Sequence, residues 1–190
     1  MDRAAIDEKR KDKIPYDFNK GLFSKCDPIK MSEKTGCNYD ISKKEFAVKL
    51  MGSLYIVKFP TGEILEHDYT EITRYPIKTL ILRYLMNAKG LLPLNKNITY
   101  REVPGGNLYY SVFYARCISR LAGTFGNSLD KFRSTLESLG AKEIKMADVA
   151  YKFEFVKNVY VTFALWEGDE EFSATAQILF DANISSYFTV

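Results

Sequence analysis

From Lys44 to Met51 the side chains alternate. Phe46, Val48 and Leu50 fall on one side and Ala47 and Lys49 on the other, the period-two pattern of a half-buried strand. Gly52-Ser53 supplies a turn, SLYIVKF repeats the strand signal, and Pro60-Thr61-Gly62 turns the chain into GEIL, which together predict an antiparallel meander. The period then changes. After Pro76, residues Ile77, Leu80, Ile81, Tyr84 and Leu85 follow helical spacing, with Lys78 and Arg83 off the stripe and Gly90 at the end, so this helix should lie on the sheet. ITYREV reads as a short strand. Beyond Pro104-Gly105-Gly106, LYYSVFYARCISRLAGTF is apolar nearly all round, the pattern of a central helix. Ser128 is placed to cap another helix, in which Leu129, Phe132, Leu136 and Leu139 recur before Gly140. VAYKFEFV and VYVTFALW, joined by Lys157-Asn158, and then ATAQILF read as strands. Asp181 stands where it can cap a last short helical piece, ANISSYF.

At the other end, Asp27-Pro28 opens a short helix that Gly36 closes, whereas residues 1–26 show no sustained period and are expected to form a mobile arm. Strands, then helices, then strands predict an α+β fold: a mainly antiparallel sheet packed against about three longer helices, as one domain over residues 27–190.

Composition narrows the classes. A chain of 190 residues that is 46% apolar and 14% aromatic can bury its own core. Lysine and arginine outnumber aspartate and glutamate by 27 to 24, and the excess lies in residues 1–50, with 12 basic against 9 acidic groups. This balance gives no electrostatic footprint for nucleic acid. The alternation of aromatics and lysines in YKFEFVKNVYVTF is that of a packed hairpin, with glutamates that would oppose a phosphate backbone. MDRAAIDEKRKDK lacks the apolar core of a signal peptide, and no apolar run approaches the ~20 residues of a membrane helix, so a cytoplasmic protein without membrane contact is expected. Cys26, Cys37, Cys117 and the single His67 are too few and too scattered for a zinc or iron–sulfur site, and none is expected.

Two stretches carry candidate chemistry. WEGDEEFSA brings Glu167, Asp169, Glu170 and Glu171 beside the only tryptophan, Trp166. Gly168 allows a tight turn and Phe172 can return to the core, so one reading is a solvated hairpin loop. In the other, the indole walls off a carboxyl, and Asp169 or Glu170 becomes a general acid or base or a ligand to a hard cation. The second stretch is the helix after Gly106. Tyr109, Phe113, Arg116 and Arg120 are spaced by four, three and four residues, which places them on one face. Arginines half-buried there must meet either the acids of 167–171 or an anionic ligand, held also by amides of Gly105, Gly106 and Asn107 at the helix start. Neither a P-loop nor a dinucleotide fingerprint accompanies the glycine pair. Asp181 is the remaining ligand-binding candidate beside its capping role.

WEGDEEF, with ILFDANISSYF after it and with REVPGG, a helix ending in TFG and an amphipathic helix ending at LG before it, resembles the domain-of-unknown-function 3786 family of anaerobic bacteria and archaea, over about Asp27 to Val190. Relatives that carry a cysteine-rich iron–sulfur segment imply an accessory role near anaerobic cofactor and one-carbon metabolism. This chain departs from the pattern at Ala141, where a second glycine is typical, and at Ala147, where a Gly-Asp pair is; it stops at Val190, where the pattern is expected to run on.

Three functional classes remain open: a binding or accessory module for an anionic metabolite or cofactor near Arg116, Arg120 and the 166–171 turn; an enzyme using carboxylates of that turn; and a protein-interaction or assembly factor. A pocket joining the turn to the arginine face favours the first two, and a convex turn favours the third.

Overall fold

The computed structural model describes residues 10–189. They separate into two compact units, one ending at Leu91 and taking back Ser186–Phe188, the other built on Leu92–Ser185. Both combine helices with antiparallel strands, so the α+β class read from the order of patterns is correct.

In the first unit, β2 (Glu45–Leu50), β3 (Ser53–Lys58) and β4 (Ile64–Glu66) form the expected meander, and β1 (Asn38–Asp40) pairs with β2 on the edge away from β3. Phe46, Val48 and Leu50 are buried, as their alternation requires. Met51 and Gly52 both take positive φ, +48° and +81°, the conformation of a two-residue hairpin turn whose twist matches its strands. Ahead of the sheet, α1 (Lys13–Phe23) and α2 (Pro28–Thr35) are helical. The Asp27 carboxylate accepts from the Ile29 and Lys30 amides at 2.9 and 3.2 Å and Gly36 ends α2 at φ +71°, so both caps are the expected ones.

The segment read as an arm needs correction. From Lys13 onward it is a helix that buries Tyr16, Asn19 and Phe23, with the Phe23 ring edge-on to Phe46 and Phe59. One of the three inward positions is polar, which hid the period. Residues 1–9 of the expected arm lie outside the described residues.

Helix α3 (Tyr75–Asn87) buries Ile81, Leu82, Tyr84 and Leu85, and also Lys78, which the apolar stripe had placed outside. Lys78 is 3% exposed; its ammonium lies 3.2 Å from a Glu71 carboxylate oxygen and 5.3 and 5.1 Å from the Tyr16 and Tyr75 ring centres. The aromatic faces and one carboxylate replace part of its lost hydration. Glu71 is largely exposed and returns to water if the lysine is removed. Lys78→Met, which keeps the stem and deletes the buried charge, is therefore expected to stay within about 1 kcal/mol of the parent in denaturant melts, whereas Lys78→Ala loses packing and about 2 kcal/mol. A larger loss for Met would show that the charge itself holds the site.

The second unit carries a sheet in the order β6-β7-β8-β9-β5: β5 (Asn97–Thr99), β6 (Lys142–Glu143), β7 (Val149–Val156), β8 (Val159–Trp166) and β9 (Thr175–Asp181). Helix α4 (Gly106–Phe113) runs through a π-turn (Tyr114–Ile118) into α5 (Ser119–Phe125), and α6 (Leu129–Ser138) comes next. Phe132 and Leu136 of α6 pack on Val149, Tyr151 and Leu165, as their spacing predicts; Ser128 holds the N-cap position without a side-chain bond to the helix. The inner side of α4–α5 sends Ile118 into a cluster with Phe153, Val161 and Ile178. No helix among the described residues is long and apolar enough to cross a membrane.

Candidate functional site

The acidic turn is built by Asp169. Trp166, half-buried at the end of β8, pairs with Thr175 of β9 and closes the ladder. Asp169 Oδ1 then accepts from the amides of Glu171 (2.9 Å) and Phe172 (2.7 Å), while its own amide donates to the Phe172 carbonyl at 2.9 Å. The carboxylate thus acts as a backbone mimic in the turn. A Cβ on Gly168 would stand 2.7 Å from the Ala174 nitrogen, so glycine is needed for the closure. The Glu167 amide donates to Asp148 at 2.9 Å. Glu167, Asp169, Glu170 and Glu171 are exposed, and neither Asp169 nor Glu170 is withdrawn from water. Phe172, expected to return to the core, is 69% exposed, because the Asp169 turn holds it outward before β9 begins.

A cleft of about 360 Å³ adjoins this turn, lined by Asp169, Phe172 and Ser173 on one side and by Ala122, Gly123 and Asn127, at the end of α5, on the other. It reaches the helix one turn beyond Arg120. Neither arginine lines it.

The arginine face differs from its expected form in three ways. First, the glycine pair serves the chain. Gly105 takes φ +81°, and a Cβ on Gly106 would lie 1.8 Å from the Tyr100 carbonyl oxygen, so the helix start presses directly on the short helical turn Tyr100–Glu102. The Gly106 amide donates to the Val103 carbonyl at 2.7 Å and is not available to an anion. Arg116 lies about 15 Å along the helix axis from it, too far for one phosphate or carboxylate to meet both. Second, the π-turn adds a residue to one helical turn and rotates the residues beyond it. Arg116 and Arg120, within and beyond it, are thereby turned away from the line of Phe113 and face water, whereas Phe113, ahead of the π-turn, is half-buried and stacked on Tyr100 at 4.1 Å and 5°; Tyr109 is exposed as well. Third, among the described residues no ion pair joins Arg116 or Arg120 to the acids of 167–171. The two arginines are exposed, so the need for a partner that half-burial would impose does not arise.

The helix read as central is in fact half outside. Leu108, Tyr109, Val112 and Tyr114 are 83, 57, 45 and 49% exposed, beside Arg116 and Arg120. At the start of this face, the Arg101 guanidinium stacks 3.8 Å over the Tyr110 ring. Sequence periodicity missed this surface because apolar residues occur on both sides of the helix; the available signal was charge. From Glu102 to Asp130 the chain carries arginines and no carboxylate side chain in between.

Asp181 is committed elsewhere. It is buried, and its two carboxylate oxygens accept from the amides of Leu94 (2.9 Å), Asn95 (2.7 Å) and Asn183 (3.1 Å), tying the loop before β5 to the end of β9. A group with three donors already on it is a structural anchor, which displaces its ligand-binding reading.

Among the described residues no three histidine, cysteine, aspartate or glutamate side chains are grouped to hold a metal ion, and Cys26, Cys37 and Cys117 are free thiols.

Comparison with known proteins finds no matching curated protein and no matching solved structure. Residues 27–190 do match the family described as Domain of unknown function (DUF3786). That span takes in the acidic turn, the glycine pair and the whole α4–α5 helix, and on it the chain belongs to the DUF3786 family.

Proposed function

We propose that this chain is a protein-interaction module that presents the outer face of α4–α5 to an acidic, partly apolar segment of another protein. The carrying observation is the conjunction on that face: four exposed apolar or aromatic side chains and two exposed arginines on a stretch without a carboxylate. Contiguous apolar surface exposed to water favours association, and tyrosine and arginine are enriched where interfaces concentrate their energy. The missing acids give the face one sign, so an acidic partner is attracted and a basic one repelled. The π-turn lies within the same face, and such turns recur at functional sites.

The cleft beside the acidic turn supports the ligand-binding and enzymatic alternatives. It brings one carboxylate, Asp169, whose Oδ1 already serves two amides. An accessory role in cytoplasmic anaerobic metabolism accords with the interaction reading, since such a role is carried out on a partner.

Photo-crosslinking side chains at Leu108 and Val112, with an exposed control at Ser138, test this in the native cell. The expected result is a predominant adduct from the two helix positions, crosslinked through an acidic segment and reduced at least about tenfold by Arg116→Glu with Arg120→Glu. Adducts no stronger than at Ser138, or unaffected by charge reversal, would sink the proposal. Loss of the adduct on adding inorganic phosphate at constant ionic strength would return the arginines to the small-anion reading.

A further inference from the structure

The acidic turn and the end of α5 face each other across the cleft, and close contacts beside it fix the distance between them. A Cβ on Gly126 would stand 2.2 Å from the Ala174 Cβ, so the helix end touches the approach to β9. The cleft, about 360 Å³, falls within the roughly 300–1,000 Å³ of small-ligand sites. Several groups on its walls are uncommitted. Among the described residues, Asp169 Oδ2, the Asn127 side chain and the Ser173 hydroxyl have no hydrogen-bond partner in the protein. The Phe172 ring, 69% exposed, meets no other ring and no cation. On the opposite wall Gly123 stands inside α5, where an added Cβ would meet nothing within 4 Å. Glycine costs helix stability there and no neighbour requires it; the missing side chain is what leaves the cleft open.

We propose that this cleft binds a primary ammonium group on a short apolar stem. The sign follows from the walls: a free carboxylate oxygen and the face of a phenyl ring both attract a cation. The surrounding field has the same sense. From Asn158 to Val190 the chain carries five acids, Glu167, Asp169, Glu170, Glu171 and Asp181, and no basic residue, which raises the local concentration of cations. The acceptors select the kind of cation. An ammonium has three donors, and Asp169 Oδ2, Asn127 Oδ1 and Ser173 Oγ offer three acceptors. A guanidinium grips a carboxylate through both oxygens, and Oδ1 is already taken by the Glu171 and Phe172 amides. A hard metal ion needs about six oxygens, more than these walls supply. Ala122, Gly123 and Ala174 leave an apolar bed for the stem. This inference is independent of the outer face of α4–α5.

Amide NMR of the full chain at neutral pH and constant ionic strength tests it, with n-butylammonium, n-butylguanidinium and n-butanol as probes of equal stem. Butylammonium is expected to shift the amides of Gly123, Asn127 and residues 169–174 with a dissociation constant of about 1 mM, and the other two probes to bind at least about tenfold more weakly. Asp169→Asn keeps the oxygen that serves the turn but replaces the free one by NH₂, and should weaken binding at least about tenfold. Gly123→Leu fills the cleft from the helix and should abolish saturable shifts, with the thermal midpoint unchanged or raised. Glu170→Gln, which lowers only the field, should change affinity less than about twofold. Nα-acetyl-lysine amide separates the two sources of such a group: binding at least about tenfold tighter than butylammonium assigns the site to a lysine of another protein, and equal binding assigns it to a free amine. No saturation by about 20 mM, equal binding of butanol or butylguanidinium, or a Gly123→Leu chain that binds as the parent does overturns the proposal.

Discussion

Asp181→Ala should cost on the order of 3–6 kcal/mol, because it strands three donors at once. The amides of Leu94, Asn95 and Asn183 all point at this buried carboxylate. A hydrogen bond to a charged group contributes about 1.5–3 kcal/mol, and a buried donor left without an acceptor loses its hydration as well. Asp181→Asn keeps one acceptor oxygen but turns an NH₂ group against an amide, so about half of the loss should remain. Denaturant melts measure the loss, and amide exchange at Leu94 and Asn95 should accelerate in both variants. A cost below about 1 kcal/mol for the alanine would mean that water replaces the carboxylate.

Two glycines of the α4–α5 helix should respond to alanine with opposite signs. At Gly106 the new methyl would meet the Tyr100 carbonyl oxygen at 1.8 Å and the Val103 Cβ at 3.4 Å. The backbone of Tyr100–Glu102 must move away, and with it the Tyr100 ring stacked on Phe113. The upper part of the overpacking range, about 2–3 kcal/mol, is expected, because the obstacle is main chain and not a flexible side chain. At Gly123, inside α5, an added methyl meets nothing within 4 Å. There alanine only raises helix propensity, which should stabilise by about 0.5–1 kcal/mol. Thermal melts of the two variants side by side decide the matter; equal signs would show that the helix start is not pressed on the turn before it.

The α+β class was legible because local period and core-facing direction coincide in β2, β7, β8, α3 and α6. Phe46, Val48, Phe132 and Leu136 are where their spacing puts them. The failures share a cause: each needed knowledge of what lies opposite an element. Periodicity cannot tell which side of an all-apolar helix meets the sheet, and YARCI holds no local mark of the π-turn that turns Arg116 and Arg120 away from the line of Phe113. Asn19 on the inner face of α1 interrupts its apolar period, and Ile14, Phe18 and Leu22 on the outer face supply a competing one. Lys78 looked like a surface residue because the Tyr16 ring that helps to cover it comes from α1, distant in sequence, while Tyr75 stands on its own helix one turn earlier. At the site, WEGDEEF was readable as a turn with a glycine at its hinge. The role of Asp169 was less so, because a carboxylate serving its own backbone and one serving a ligand are written with the same letter.

The return of Ser186–Phe188 to the first unit bears on how the chain is made. The Tyr187 hydroxyl donates to the Leu91 carbonyl at 2.8 Å, its ring stacks on Tyr84 at 5.8 Å, and the Lys89 amide donates to the Ser186 carbonyl at 2.9 Å. On the ribosome, Tyr84 is synthesised well before Tyr187 emerges, and at about 5–20 residues per second that interval lasts several seconds. Throughout it the N-terminal unit lacks the ring that covers Tyr84. Vectorial synthesis therefore cannot finish the first unit first, and that unit reaches its final form only after Ser186–Phe188 have left the exit tunnel.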